Sequence, residues 1–247
     1  GTYNRAAELL ADNNAFTGID IARFGQNENA ICERATFDNV SLLTQYESAI
    51  ELYRRYYQQE LIESAQRKRV ELVPEVAFRE ALVNGIVHRT WDTNARMQVA
   101  LHENRIVITS PGGLPYGITE EEYIHKEISV LRNPLIADVF FRLNLVERFG
   151  TGVQRIVRSY AGSSMAPAFE VTPNAICVTL PTLNSLSDND ENTVLSLVKN
   201  SGQISSSEIV ALSGFNKSKV ARILSRLISS GHIARTGNGR ATVYRIP

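Results

Sequence analysis

The sequence predicts an α+β protein in two parts: a larger body of helices and strand pairs, then a small domain of three helices and a hairpin. Three observations predict it. Apolar residues alternate with a period of two in strings such as Met97-Gln98-Val99-Ala100-Leu101, while other stretches keep a helical period. The stretch 181–192, PTLNSLSDNDEN, is polar and aperiodic and reads as a linker. The charge also divides there. The 247 residues hold 26 Lys+Arg and 26 Asp+Glu, a net charge of zero. After Asn189 there are eight bases and three acids, a net of +5, which leaves 18 bases and 23 acids before it, a net of −5. A neutral total made of two opposite halves points to a nucleic-acid-binding module in the basic half.

Composition excludes several classes. A hydrophobic fraction of 43% with 21% charged residues is that of an ordinary globular protein and excludes wholesale disorder. No apolar run approaches the ~18 residues of a membrane helix, so no membrane association is expected. The two cysteines, Cys32 and Cys177, are far apart and lack metal-ligand spacing, which fits a reducing, cytoplasmic setting. The chain begins in what reads as the middle of a helix, so a piece of a longer protein is expected.

The tail, 190–247, opens with a helix containing Val194, Leu195, Leu197 and Val198. Ser205 with Glu208 is a capping box for a second helix that stops at Gly214. Asn216 caps a third, whose apolar stripe is Val220, Ile223, Leu224, Leu227 and Ile228. Two short strands follow around Gly237-Asn238-Gly239. Helix, helix, short turn, basic helix, hairpin is an order that resembles the winged helix-turn-helix family. The resemblance implies a double-stranded DNA partner. The third helix would present Lys217, Ser218, Lys219, Arg222 and Arg226 to the DNA, and Arg235 and Arg240 would flank the wing tip.

In the central region, 71–182, a long helix carries Glu80, Asn84 and His88 at i, i+4 and i+8, one polar stripe. An amide oxygen ligates a hard cation and a carboxylate can activate a water, so this pattern suits a magnesium-nucleotide site, although such stripes are also ordinary solvated surface. A hairpin turning at Glu103-Asn104 then runs into the glycine turn Gly112-Gly113. Asn133-Pro134 is expected to cap and begin a helix. Gly150, Thr151 and Gly152 open another, where backbone N–H groups suit phosphate. A strand pair closes the region.

Four strings in order, REALVN-x3-HR, SPGGLP-x-GIT, S-x-x-RNP-x-IADVF and ERFGTGV-x-RI, resemble the C-terminal domain of the family named ATP-dependent DNA helicase RecG-related, regulators of transcription. That domain is similar to the GHKL ATPases. The resemblance implies a GHKL-like α/β sandwich, a mixed sheet with helices on one face. It implies ATP and Mg2+ as ligands, Glu80 as general base, Asn84 as the magnesium-binding amide, and His88, Gly112, Gly113, Gly150, Thr151 and Gly152 beside the nucleotide. The adenine-reading Asp of those enzymes is absent; Ile108-Thr109-Ser110-Pro111 stands there. At most a weak ATP hydrolase is therefore expected. No Gly-Lys-Ser or Gly-Lys-Thr occurs, so a helicase motor is not.

Residues 1–70 are expected to hold a short helix, a strand pair with Gly25 at its turn, and a long helix from Ser41 through Arg69. By the same resemblance they are the truncated end of an N-terminal Schlafen/Alba-like region with a connecting helix. The stripe Tyr46, Tyr53 and Tyr57 is either a homodimer surface or core packing. The expected divisions are 1–70, 71–182, a linker at 183–189, and 190–247. Two functions stay open: a DNA-binding transcriptional regulator with a GHKL-type domain, or an ATPase whose nucleotide-dependent dimerisation acts on DNA.

Overall fold

The computed structural model describes residues 4–25, 29–63, 66–125, 130–146, 150–183, 186–237, 239 and 242–247. They form two units, divided between Leu183 and Asn184.

The first unit is built on a six-stranded sheet. Its strands are β1 (Ile19–Phe24), β2 (Ile31–Phe37), β5 (Met97–Leu101), β6 (Arg105–Pro111), β7 (Ala168–Val171) and β8 (Ala175–Pro181), in the order β2-β1-β5-β6-β8-β7. β1 runs parallel to β5 and every other pairing is antiparallel, so the sheet is mixed. Alternation decides its faces. Ile19, Ile21, Met97, Val99, Leu101, Ile106, Ile108, Ile176, Val178 and Leu180 all point into one core. Gln98, Val107 and Thr179 point the other way and are half-buried or exposed. The helices cover the first face, as a GHKL-like α/β fold requires.

Those helices are α1 (Arg5–Leu10), α2 (Leu42–Tyr57), α3 (Glu75–His88), α4 (Glu120–His125), α5 (Pro134–Arg142) and α6 (Gly152–Ser159). Asn4 caps α1 through Ala7 N–H, and Ser41 caps α2 through Leu43 N–H. The tyrosines of α2 are core residues. Tyr46, Tyr53 and Tyr57 are buried, Tyr53 stacking on Phe78 of α3 at 4.6 Å and Tyr46 meeting Phe140 of α5 edge-on at 6.0 Å. A dimer surface on that stripe is thereby excluded.

Two expectations for this unit are corrected. The long helix does not run to Arg69: it ends at Tyr57, and β3 (Gln58–Glu63) and β4 (Gln66–Glu71) form a separate antiparallel hairpin. The Gln58 side chain donates to Glu75 at 2.6 Å, and Leu72 N–H donates to the Tyr57 carbonyl at 2.8 Å, so the chain is pulled back towards α3. Arg67, Lys68 and Arg69 thus lie exposed on a strand. The boundary at residue 70 also fails to divide the fold, because β1 and β2 from the first seventy residues extend the sheet of the central region.

The second unit contains α7 (Leu186–Ser201), β9 (Ile204–Ser205), α8 (Ser206–Ser213), α9 (Lys217–Ser229), β10 (Ala234–Thr236) and β11 (Val243–Arg245), with strand order β10-β11-β9. The Ser205/Glu208 capping box and the Asn216 cap form as expected, and Gly214 ends α8 in the left-handed conformation. Val194, Val198, Ile204, Ile209, Val220, Ile223, Leu224, Leu227 and Ile233 make its own core. Ile228, expected on that stripe, is 38% exposed. The linker expected at 183–189 is also shorter, because α7 begins at Leu186. Salt bridges from Asp190 to Lys219 and from Glu191 to Arg226 tie the early turns of that helix to α9. Among the described residues, no helix is long and apolar enough to cross a membrane.

Candidate functional site

Helix α3 is apolar around nearly its whole circumference, with Ala77, Phe78, Ala81, Leu82, Val83 and Ile86 all buried, so it runs through the core. Glu80, Asn84 and His88 interrupt it at one-turn intervals. All three line a cavity of about 380 Å³, and Gly150, Thr151 and Gly152 line it too. Residues expected from separate segments are thus brought together. Gly112 and Gly113 are not among the cavity's lining residues. Gly112 N–H donates to the Asn174 carbonyl at 2.7 Å and the Gly113 carbonyl accepts from Arg132 at 2.7 Å, so this turn is fastened to neighbouring loops. The next residues, Leu114 and Pro115, reach the cavity instead.

The end of α3 is held from outside. Asn133 makes no side-chain cap for α5; its amide donates to the carbonyls of Val87 at 2.8 Å and Arg89 at 2.9 Å. The expectation that Asn133 caps its own helix is corrected, because those C-terminal carbonyls of α3 need donors more. Ser110 likewise donates to the Gly85 carbonyl at 2.8 Å, which commits the hydroxyl standing near the missing adenine reader.

A residue the sequence did not single out governs the polar stripe. Arg155 of α6 places its Nε 3.2 Å from Glu80 Oε1, and Glu80 is only 7% exposed. The backbone of Gly152 rests on the same pair: a Cβ there would lie 2.8 Å from Asn84 Nδ2 and 3.1 Å from Glu80 Oε2. A larger residue there would push the ends of these two side chains aside. His88, further along, is pushed down to about 4, first by burial and second by the charge of Arg132. It is neutral at pH 7, with one donor and one acceptor.

A pH dependence follows. The folded value lies below the ordinary 6.5, so on acidification the unfolded chain takes up this proton first. The stability linked to His88 is complete above about pH 6.5, declines as pH falls towards about 4, and levels off below. Urea midpoints compared at about pH 7.5 and about pH 5 should differ less in His88→Gln than in the wild type.

The described residues do not fit a magnesium-triphosphate group in this arrangement. One oxygen of Glu80 is taken by a guanidinium, Gly152 leaves no gap against Asn84, and among the described residues no Lys or Arg lines the cavity. Nor do three His, Cys, Asp or Glu side chains gather into a metal site among them.

In the second unit the expected DNA-contacting residues separate into two sets. Lys217, Ser218, Arg222 and Arg235 are exposed. Lys219 and Arg226 turn back onto α7: Lys219 lies 2.7 Å from Asp190 and over the Phe215 ring at 4.0 Å, and Arg226 lies 3.0 Å from Glu191. Arg240 lies outside the described residues.

Comparison with known proteins matches residues 94–180 to the family described as "Putative ATP-dependent DNA helicase recG C-terminal", and residues 186–247 to a domain of unknown function, DUF7343. The first match begins after α3, so it covers the glycine turns but not Glu80, Asn84 and His88. No curated protein matches the chain. A solved structure, the DIP2311 protein from Corynebacterium diphtheriae, is similar over the whole chain with 21% identity and a TM-score of 0.66, which shows a shared fold. The chain spans about half of that protein, 55% of its length. Residues 94–180 are thus similar to the RecG C-terminal family, with an ATPase-type nucleotide-binding fold, and residues 186–247 to DUF7343.

Proposed function

We propose that the chain is a DNA-binding regulator in which the second unit is a winged helix-turn-helix and the ATPase-type domain serves as a receptor pocket, not a motor. The observation that carries the DNA-binding reading is the outer face of α9. Its core stripe is buried, while Ser218, Ala221, Arg222 and Ser225 are all exposed on the opposite side. One arginine among small side chains lets a helix backbone come close to base edges in a major groove, where a guanidinium reads guanine through two hydrogen bonds. In this reading Lys217, at the start of α9, and Arg235, on β10, contact phosphates. Lys219 and Arg226 brace α9 against α7.

The test is anisotropy titration of a labelled duplex over a range of salt. Arg222→Ala is expected to weaken binding to a selected sequence by about 1–3 kcal/mol, and Lys217→Ala to reduce the salt slope by about one unit. Arg226→Ala is expected to change little, because an exposed ion pair contributes about 0–1 kcal/mol. Binding that ignores salt, or a full loss in Arg226→Ala with none in Arg222→Ala, defeats the reading.

A further inference from the structure

We infer that the cavity beside α3 receives an uncharged nucleoside, a base and its sugar without phosphates, held by the Asn84 amide and the His88 ring. The inference rests on the receptor reading of this domain and names the ligand class.

Size comes first. About 380 Å³ falls within the range of small-molecule sites and suits one heterocycle with a sugar. The walls come second. Leu114, Ile118, Leu131, Ala137 and Phe141 offer apolar surface to the faces of a ring. The polar groups come third. Asn84 and His88 lie one turn apart on a buried helix whose end Asn133 fixes, so both are held in place. An amide and a neutral imidazole each supply a donor and an acceptor. A heterocycle edge or a sugar hydroxyl has the same mixed pattern, whereas a phosphate only accepts.

Charge decides against a phosphate chain. Among the described lining residues the charged groups are Glu80 and Asp138, both carboxylates. Each is already held by a guanidinium, Glu80 by Arg155 at 3.2 Å and Asp138 by Arg142 at 2.8 Å. A triphosphate placed here would meet no lining Lys or Arg among the described residues, and the guanidiniums of Arg155 and Arg142 are already committed to these carboxylates. Gly152 is seated close against Asn84 and Glu80, which leaves little room for a cation between the glycine turn and that pair. The apolar part of the cavity keeps room for a nucleoside.

The experiment is isothermal titration of the 247-residue chain with adenosine, with guanosine, and with ATP plus magnesium. One of the nucleosides is expected to bind at least about tenfold more tightly than magnesium-ATP, with no effect of magnesium. Ala137→Phe, which fills the cavity, should abolish that binding, and Asn84→Ala should weaken it about tenfold. Thermal unfolding of both variants checks that they are folded. Tighter, magnesium-dependent binding of ATP overturns the inference, and so does an absence of heat with both nucleosides. Duplex binding measured on the same sample separates the two claims: DNA affinity without nucleoside binding removes this inference alone, and nucleoside binding without DNA affinity removes only the regulator reading.

Discussion

Arg89→Ala is expected to destabilise the first unit by about 3–5 kcal/mol, a drop of about 6–20 °C in its unfolding temperature. Arg89 follows α3 directly and is 1% exposed. Its guanidinium donates to the carbonyls of Thr17 and Gly18, each at 3.2 Å, to the Thr17 hydroxyl at 3.3 Å, and to the Ala95 carbonyl at 2.7 Å. It therefore ties the approaches to β1 and β5, the two parallel strands, to the end of α3. Truncation removes the donor to the Thr17 and Ala95 carbonyls, leaves Gly18 with Met97 N–H alone, and opens a void beneath Trp91, whose ring centroid lies 3.9 Å from the guanidinium carbon. Burial is also what pushes this guanidinium down, to about 10. Arg89→Lys is expected to recover less than half of the loss, since one ammonium cannot reach acceptors spread across two loops. Calorimetry of the three proteins decides it; an Arg89→Ala protein that melts with the wild type refutes the account.

Gly18→Ala is expected to be as severe, about 3 kcal/mol or more, which is about 6–12 °C for a unit of this size. A Cβ at Gly18 would overlap the carbonyl oxygen of Phe37 and stand 2.8 Å from Gln45 Oε1. The obstacle is backbone, so no side-chain rotation relieves it. Phe37 pairs with Ile19 at the start of the β1–β2 ladder, and relieving the overlap means opening that ladder. Gly117→Ala is the control: its Cβ would meet nothing within 4 Å, although its φ of 86° adds a smaller backbone strain. Gly18→Ala should unfold well below Gly117→Ala; equal midpoints would disprove the overlap.

What was legible in the sequence was mostly local. The capping box at Ser205, the Asn216 cap and the alternation of β5 and β6 depend on residues a few positions apart, and all three form. The i, i+4, i+8 stripe of Glu80, Asn84 and His88 also came through, because helical spacing alone puts them on one side. What was hidden depends on distant partners. Helical periodicity through Tyr57 and Leu61 concealed the β3–β4 hairpin, whose turn back is set by Glu75 and Leu72. Asn133 reads as a cap for its own helix until α3 is found ending beside it. Arg155 lies 75 residues beyond Glu80, and no spacing rule links them. Lys219 and Arg226 look like DNA contacts until Asp190 and Glu191 are placed opposite them.

The parallel pairing of β1 with β5 has a consequence for how the protein is made. Ile19 lies opposite Met97, so the centre of the sheet joins residues 78 positions apart, and β6 waits for β8 across a gap of similar size. A loop of that length must close before any of its contacts is gained, which slows folding. The β1–β2 hairpin therefore leaves the ribosome with the β1 edge open and keeps it open until β5 has been synthesised. The second unit's widest strand pairing, β9 with β11, joins Ser205 to Val243 across 38 positions, so its loop closes sooner. Synthesised after the first unit, it is expected to reach its native form in a single fast phase, while the six-stranded sheet completes in a slower one.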